Sequence, residues 1–266
     1  MAKTIVVTSG KGGVGKTTST ANIGVALALK GNRVIVIDAD TGLRNLDVVM
    51  GLEDKVNYNL IDVARGNCRL RQAMIKDKKY MGLYLLPTAQ AYDKSHLTAN
   101  TMKKIVKALS SHFDYILIDC PAGIEQGFQT AVAPAEEAIL VTTPEISAIR
   151  DADRIVNILS SQDAVKSIKL IVNRVRPELQ RSGDMISTED ILDILNVKLL
   201  GIVPDEEDIV IASNRGEAVS YDLESRTGQA YRNIAQRLMG EDIPIMNLGG
   251  KQGFFHRFVR KKREYQ

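Results

Sequence analysis

The chain has 266 residues, 44% hydrophobic and 25% charged, which suits one large α/β domain. Two cysteines, Cys68 and Cys120, form no disulfide framework and no Cys-x-x-Cys metal spacing, and no apolar run approaches the length of a membrane span. The net charge of +3 is uneven: residues 251–266 hold six Lys/Arg against Glu264 alone, leaving 29 basic and 31 acidic side chains in the first 250 residues.

The first element is TIVVTS (4–9), a β-branched run that reads as a buried strand. A strand that begins by Thr4 leaves no room for a signal peptide, so a reducing, cytoplasmic setting is expected. GKGGVGKT (10–17) follows and satisfies G-x-x-x-x-G-K-[ST], the phosphate-binding pattern. Residues 16–30 then have helix formers with an apolar face through Ile23 and Leu27. In that strand–loop–helix context, Gly12, Gly13 and Gly15 let the backbone curl its N–H groups toward phosphate, and the helix start adds its positive dipole end. Lys16 is expected at the β- and γ-phosphates and the Thr17 hydroxyl on Mg²⁺. Gly10, Lys11, Gly12, Gly13, Val14, Gly15, Lys16, Thr17 and Thr18 are thus the candidate nucleotide contacts. Lys11 is a second lysine in a loop that needs one. Either it adds long-range attraction for an anionic ligand, or it projects to the nucleotide of a second subunit across a two-fold axis.

Further apolar runs recur at 33–38, 83–88, 115–120, 137–143, 168–173 and 198–203, with helical stretches at 99–110, 147–159, 188–195 and 225–238. Several runs are apolar on consecutive residues, as in strands buried on both faces. The alternation predicts a single domain with a mostly parallel twisted sheet, helices on both faces and ligands outside the carboxyl ends of the strands. Candidate groups lie just past those ends. Asp119 follows YILI and suits an acid that supports Mg²⁺ through water; Gly123 beyond it suits a hinge or backbone donor near the γ-phosphate. Asp38 and Asp40 follow VIVI, and either is placed to orient an attacking water. Asn173 ends another strand with an amide able to donate to and accept from a purine edge. Pro204, after LLGIV, offers a flat face to a base. Each of these last two is equally readable as a turn residue.

Residues 1–246 read as the nucleotide-binding domain and 247–266 as a linker with a basic tail. At 100° per residue, Phe254, Phe258, Phe255 and Val259 fall at about 0°, 40°, 100° and 140°, one apolar arc, with Arg257, Arg260 and Lys261 outside it. The tail is expected to be an amphipathic helix that forms on an anionic membrane.

KGGVGKTT (11–18) resembles the deviant phosphate loop of the MinD/ParA family of dimerising ATPases. The likeness continues through DADTGLRNLDVVMG (38–51), DCPAGIEQGF (119–128), TTPEISAIRDADR (142–154) and ASNRGEAV (212–219), and covers essentially the whole chain. The resemblance implies ATP and Mg²⁺ as cofactors and a homodimer in which Lys11 reaches the partner's phosphates. It implies that Asp40 positions the hydrolytic water and that Asp119 supports Mg²⁺. It further implies placement of the bacterial division septum from the inner face of the membrane, with a MinC-like inhibitor recruited, a MinE-like activator discharging the protein, and 147–154 as the partner helix. The alternative within the family is a ParA-type partitioning ATPase on non-specific DNA. That reading needs basic side chains over the folded body, whereas the body sums to −2, so no nucleic acid is expected. A metabolic kinase is disfavoured by Lys11 and by the lack of an evident acceptor domain.

Overall fold

β-Branched and leucine-rich runs in this chain alternate with helical segments, and the computed structural model, which describes residues 2–41, 45–89 and 97–248, folds them as layers. The first half comprises β1 (Lys3–Thr8), α1 (Lys16–Leu29), β2 (Val34–Asp38), α2 (Leu46–Val49), α3 (Leu60–Arg65), α4 (Leu70–Ala73), β3 (Ile75–Lys76), β4 (Leu83–Leu86), α5 (Ala99–Leu109) and β5 (Tyr115–Asp119). The second comprises α6 (Gln126–Val132), β6 (Glu137–Thr142), α7 (Ile146–Ser160), β7 (Ser167–Val175), α8 (Pro177–Ser182), α9 (Thr188–Leu195), β8 (Lys198–Pro204), α10 (Asp208–Asn214) and α11 (Arg226–Leu238).

The strands form one sheet in the order β3-β4-β2-β5-β1-β6-β7-β8. Every neighbouring pair is parallel except β3 with β4. Strand periodicity splits the core into two. Val6, Ile35, Ile37, Ile116 and Ile118 point into one cluster, while Ile5, Val7, Val34, Val36 and Leu117 point into the other. Both faces are covered by helices, as the doubly apolar runs predict. β3 is the strand that periodicity missed, because two residues carry no period. The short helices α2, α3, α4, α6, α8 and α10 escaped for the same reason: each spans less than two turns, so its apolar positions do not repeat.

α1 departs from the narrow stripe expected through Ile23 and Leu27. It is buried continuously from Ser19 to Ala28 because it lies between the sheet and α11. Its polar residues are therefore matched individually. The Ser19 and Tyr231 hydroxyls lie 3.1 Å apart, and Asn22 accepts from the Ser220 amide at 2.9 Å while donating to the Thr18 carbonyl at 2.9 Å. Beyond α11 the chain remains on the body through Leu248, which packs against the core and accepts from the Arg226 guanidinium at 3.3 Å. Leu248, which the sequence reading placed in the linker, thus contacts the body. The tail residues Phe254, Phe255, Arg257, Phe258, Val259, Arg260 and Lys261 lie outside the described residues. Among the described residues no helix is long and apolar enough to cross a membrane.

Asn22 is 1% exposed, and replacing it strands the Ser220 amide without an acceptor. Asn22→Ala is expected to lower stability by about 2 kcal/mol, read as a shifted urea midpoint with unchanged slope.

Candidate nucleotide-binding site

Parallel pairing brings the carboxyl ends of the strands to one edge. Asp38 and Asp119 are register partners across β2 and β5, and Val7 of β1 pairs with Asp119 on the other side. The loop from β1 to α1 crosses this edge. Gly15 is its last residue, with φ 95° in the left-handed region, and a Cβ there would lie 2.2 Å from the Asn173 amide nitrogen. Only glycine fits both demands. At the loop's other end a Cβ on Gly10 would lie 2.3 Å from the carbonyl carbon of Asp151, so the loop is seated on α7. Over Gly12 and Gly13 there is open space.

Asp119 is 1% exposed, and the first turns of α1 surround its carboxylate. The Lys16 ammonium is 3.5 Å away, Thr17 donates at 2.7 Å and Thr20 donates at 3.3 Å. Burial pushes the Asp119 carboxyl up, while the Lys16 charge and the two hydroxyls pull it back. Asp38, equally buried, accepts from the amides of Asp40 at 2.9 Å and Leu46 at 3.4 Å. Burial first and the neighbouring Asp119 second push its carboxyl up to about 8. Asp40 is half-buried and near enough to add to the repulsion on both. Three carboxylates thus crowd this edge, and the Lys16 ammonium faces one of them, Asp119. A hydroxyl and carboxylates in this crowded arrangement are the hard-oxygen donor set that suits Mg²⁺, whose charge would relieve the repulsion. The open space over the glycines, beside Lys16 and the helix start, fits a phosphate chain.

A cavity of about 480 Å³ runs sideways from Gly15 and Thr18, past Asn173, to Pro204 at the end of β8. Four sequence-predicted residues therefore line one space beside the loop. Its far wall is α10, through Ile209, Val210 and Ser213, with Thr143, Glu145 and Arg174 on the remaining sides. None of these was singled out from sequence. Arg174 has φ 55°, an unusual conformation for a residue with a side chain, and no sequence signal announces it. Asn173 spends its amide N–H on the Val14 carbonyl at 2.8 Å, bracing the loop. Val14 itself buries its side chain in the core and offers only backbone to the loop.

Lys11 is held apart from the Asp119 cradle, on a residue that lines the cavity. Its ammonium meets Glu145 at 3.1 Å and the Ser147 hydroxyl at 3.2 Å, both at the start of α7. Nothing in the local sequence signals that pairing.

The model of the CobQ/CobB/MinD/ParA nucleotide-binding domain matches residues 5–219, most of the chain. The chain belongs to that family. It is 51% identical over 249 residues to the septum site-determining protein MinD of Bacillus subtilis, covering 93% of each. Among solved structures it is similar to the MinC:MinD cell division protein complex of Aquifex aeolicus, with TM-score 0.86 and 47% identity over 92% of this chain and 99% of that one. It is likewise similar to MinD complexed with Mg-ADP from Pyrococcus horikoshii, with TM-score 0.80 and 36% identity over 91% and 100%.

For this family member, Lys16→Ala removes the one ammonium inside the cradle. Nucleotide affinity should fall about 10- to 100-fold, the worth of a hydrogen bond to a charged group, in a titration with a fluorescent nucleotide.

Proposed function

We propose that this ATPase is a nucleotide-switched dimer that places the bacterial division septum from the membrane surface. The observation that carries the reading is the separation of the two loop lysines. Lys16 is buried against Asp119, at 8% exposure, whereas Lys11 stands outside the cradle on Glu145 and Ser147. A lysine at the mouth of the loop that does not face its own cradle suits a contact made across a dimer interface.

Bound Mg-ATP supplies the transferable phosphoryl group and the metal charge that offsets it. The chain's residues hold and orient it. Lys16 and the loop amides bind the phosphates; Thr17 and Asp119 support the metal, Asp119 through water. Gly15, Thr18, Asn173 and Pro204 bound the space for sugar and base. Asp40 positions the attacking water, tied at its own amide to Asp38. Lys11 reaches the phosphates of the second subunit, where an added positive charge stabilises the developing negative charge. Its present pairing is easily released. Both partners are substantially exposed, at 43% and 58%, and such surface pairs are worth only about 0–1 kcal/mol.

The likeness to the Aquifex MinC:MinD complex supports a MinC-like partner; in this reading that partner is an inhibitor, recruited by the ATP dimer through 147–154 on α7. A MinE-like activator triggers hydrolysis. The tail 253–266 binds anionic membrane, weakly alone and strongly when dimerisation joins two tails. The acidic balance of residues 1–250 supports this reading over a DNA-partitioning one.

Lys11→Ala should bind ATP normally yet sediment as a monomer with ATP and Mg²⁺; a dimer in analytical ultracentrifugation would remove the trans-lysine role. Deleting 253–266 should abolish cosedimentation with anionic liposomes while sparing ATP-dependent dimerisation. Equal liposome binding with ADP and ATP would defeat the switch, and retention on plasmid DNA would favour partitioning.

A further inference from the structure

At the other end of the sheet, away from the nucleotide edge, lies a cleft of about 700 Å³. Arg33, on its rim, immediately precedes β2, and Phe113 lies two residues before β5. The cleft is therefore about 15 Å, one strand length, from Asp38 and Asp119. Its floor is apolar: Phe113 is buried and packs edge-on against Tyr84 at 5.3 Å, with half-buried Leu70 and Met74 beside them. Its rim is basic, with Arg33, Arg71, Lys76 and His112, and among the described residues no acidic one lines it.

Two of the rim charges are unspent. Arg71 and Lys76 are exposed and make no ion pair among the described residues. Arg33 has only a loose one, 3.8 Å from Asp114, and the His112 ring meets the neighbouring Ser111 hydroxyl. Elsewhere on the body, several basic residues are closely neutralised: Lys169 by Glu137, Lys79 by Glu217, Arg176 by Asp205. Here two unpaired cations and the loosely paired Arg33 stand together around an apolar hollow, on a body whose overall balance is acidic. The volume falls in the range of small-molecule sites.

We propose that the Arg33–Arg71–Lys76 cleft at the amino-terminal ends of β2 and β5 binds one small anionic amphiphile, an acyl or aryl group ending in a carboxylate, sulfonate or phosphate. The apolar body lies on Phe113, Tyr84 and Met74, and the head meets Arg71 and Lys76. The site is independent of the nucleotide and of the proposed dimer edge.

The test uses the full chain and two probes that differ only in charge: 8-anilinonaphthalene-1-sulfonate, and N-phenyl-1-naphthylamine, which lacks the sulfonate. Ala108, an exposed lining residue late in α5, gives a steric probe as Ala108→Trp; Arg71→Glu with Lys76→Glu gives an electrostatic one. The expected result is saturable one-to-one binding of the sulfonate, weakened at least about tenfold by each variant and at least about tenfold weaker for the neutral probe. Unchanged nucleotide affinity in the variants shows that they are folded. Sulfonate binding that survives either variant, or neutral-probe binding of equal strength, overturns the proposal, and so does non-saturable uptake. Binding of the sulfonate to the Phe-rich tail would appear as survival in both variants.

Discussion

Asp119 must be ionisable and yet sits at the end of a central strand with 1% of its surface exposed. An uncompensated charge there would cost several kcal/mol, so it has to be met from nearby. The compensation comes from three residues, Lys16, Thr17 and Thr20, all in the first turns of one helix. α1 has no side-chain cap and no acidic residue in its first turn, so its own sequence does little to set where it begins. The carboxylate at the end of β5 holds it there. That fixes the span of the loop between β1 and α1, and with it the left-handed turn at Gly15 over the Asn173 amide.

The same edge is electrostatically incomplete without a ligand. One buried ammonium faces Asp119, with Asp38 and Asp40 beside it, and the Asp38 carboxyl is driven up to about 8. Such crowding works against stability and is a mark of sites that something outside the chain completes. A hydroxyl and carboxylates on one side and open glycine backbone on the other divide that something into a cation and an anion. Asp38 also serves the geometry, since its two oxygens accept from the amides of Asp40 and Leu46 and so bring the segment carrying Asp40 back to the strand end.

The opposite end of the sheet presents the reverse: Arg71 and Lys76 left unpaired beside an apolar floor. A chain whose first 250 residues nearly balance in charge thus separates its charges spatially, acids concentrated at the carboxyl ends of β2 and β5 and bases at their amino ends. Such a separation is invisible to net charge, which is why composition argues well about nucleic acid in bulk and poorly about any one surface.

By itself the sequence determined what short-range rules encode. The phosphate loop, seven of the eight strands, the mostly parallel two-sided sheet and the gathering of Asp38, Asp119, Asn173 and Pro204 at one edge follow from periodicity, glycine placement and the geometry of parallel strands. Only the tertiary structure decided the rest. That Lys11 lies on Glu145 and Ser147, that Asn173 braces Val14, and that α10 walls the cavity beside the loop are contacts between segments from tens to about 200 residues apart. So are the burial of α1 on nearly all sides by α11 and the basic cleft assembled from α4, β3 and the end of α5. Local propensity carries no record of such pairings, because they are set by strand order and by the register in which each strand meets its neighbour.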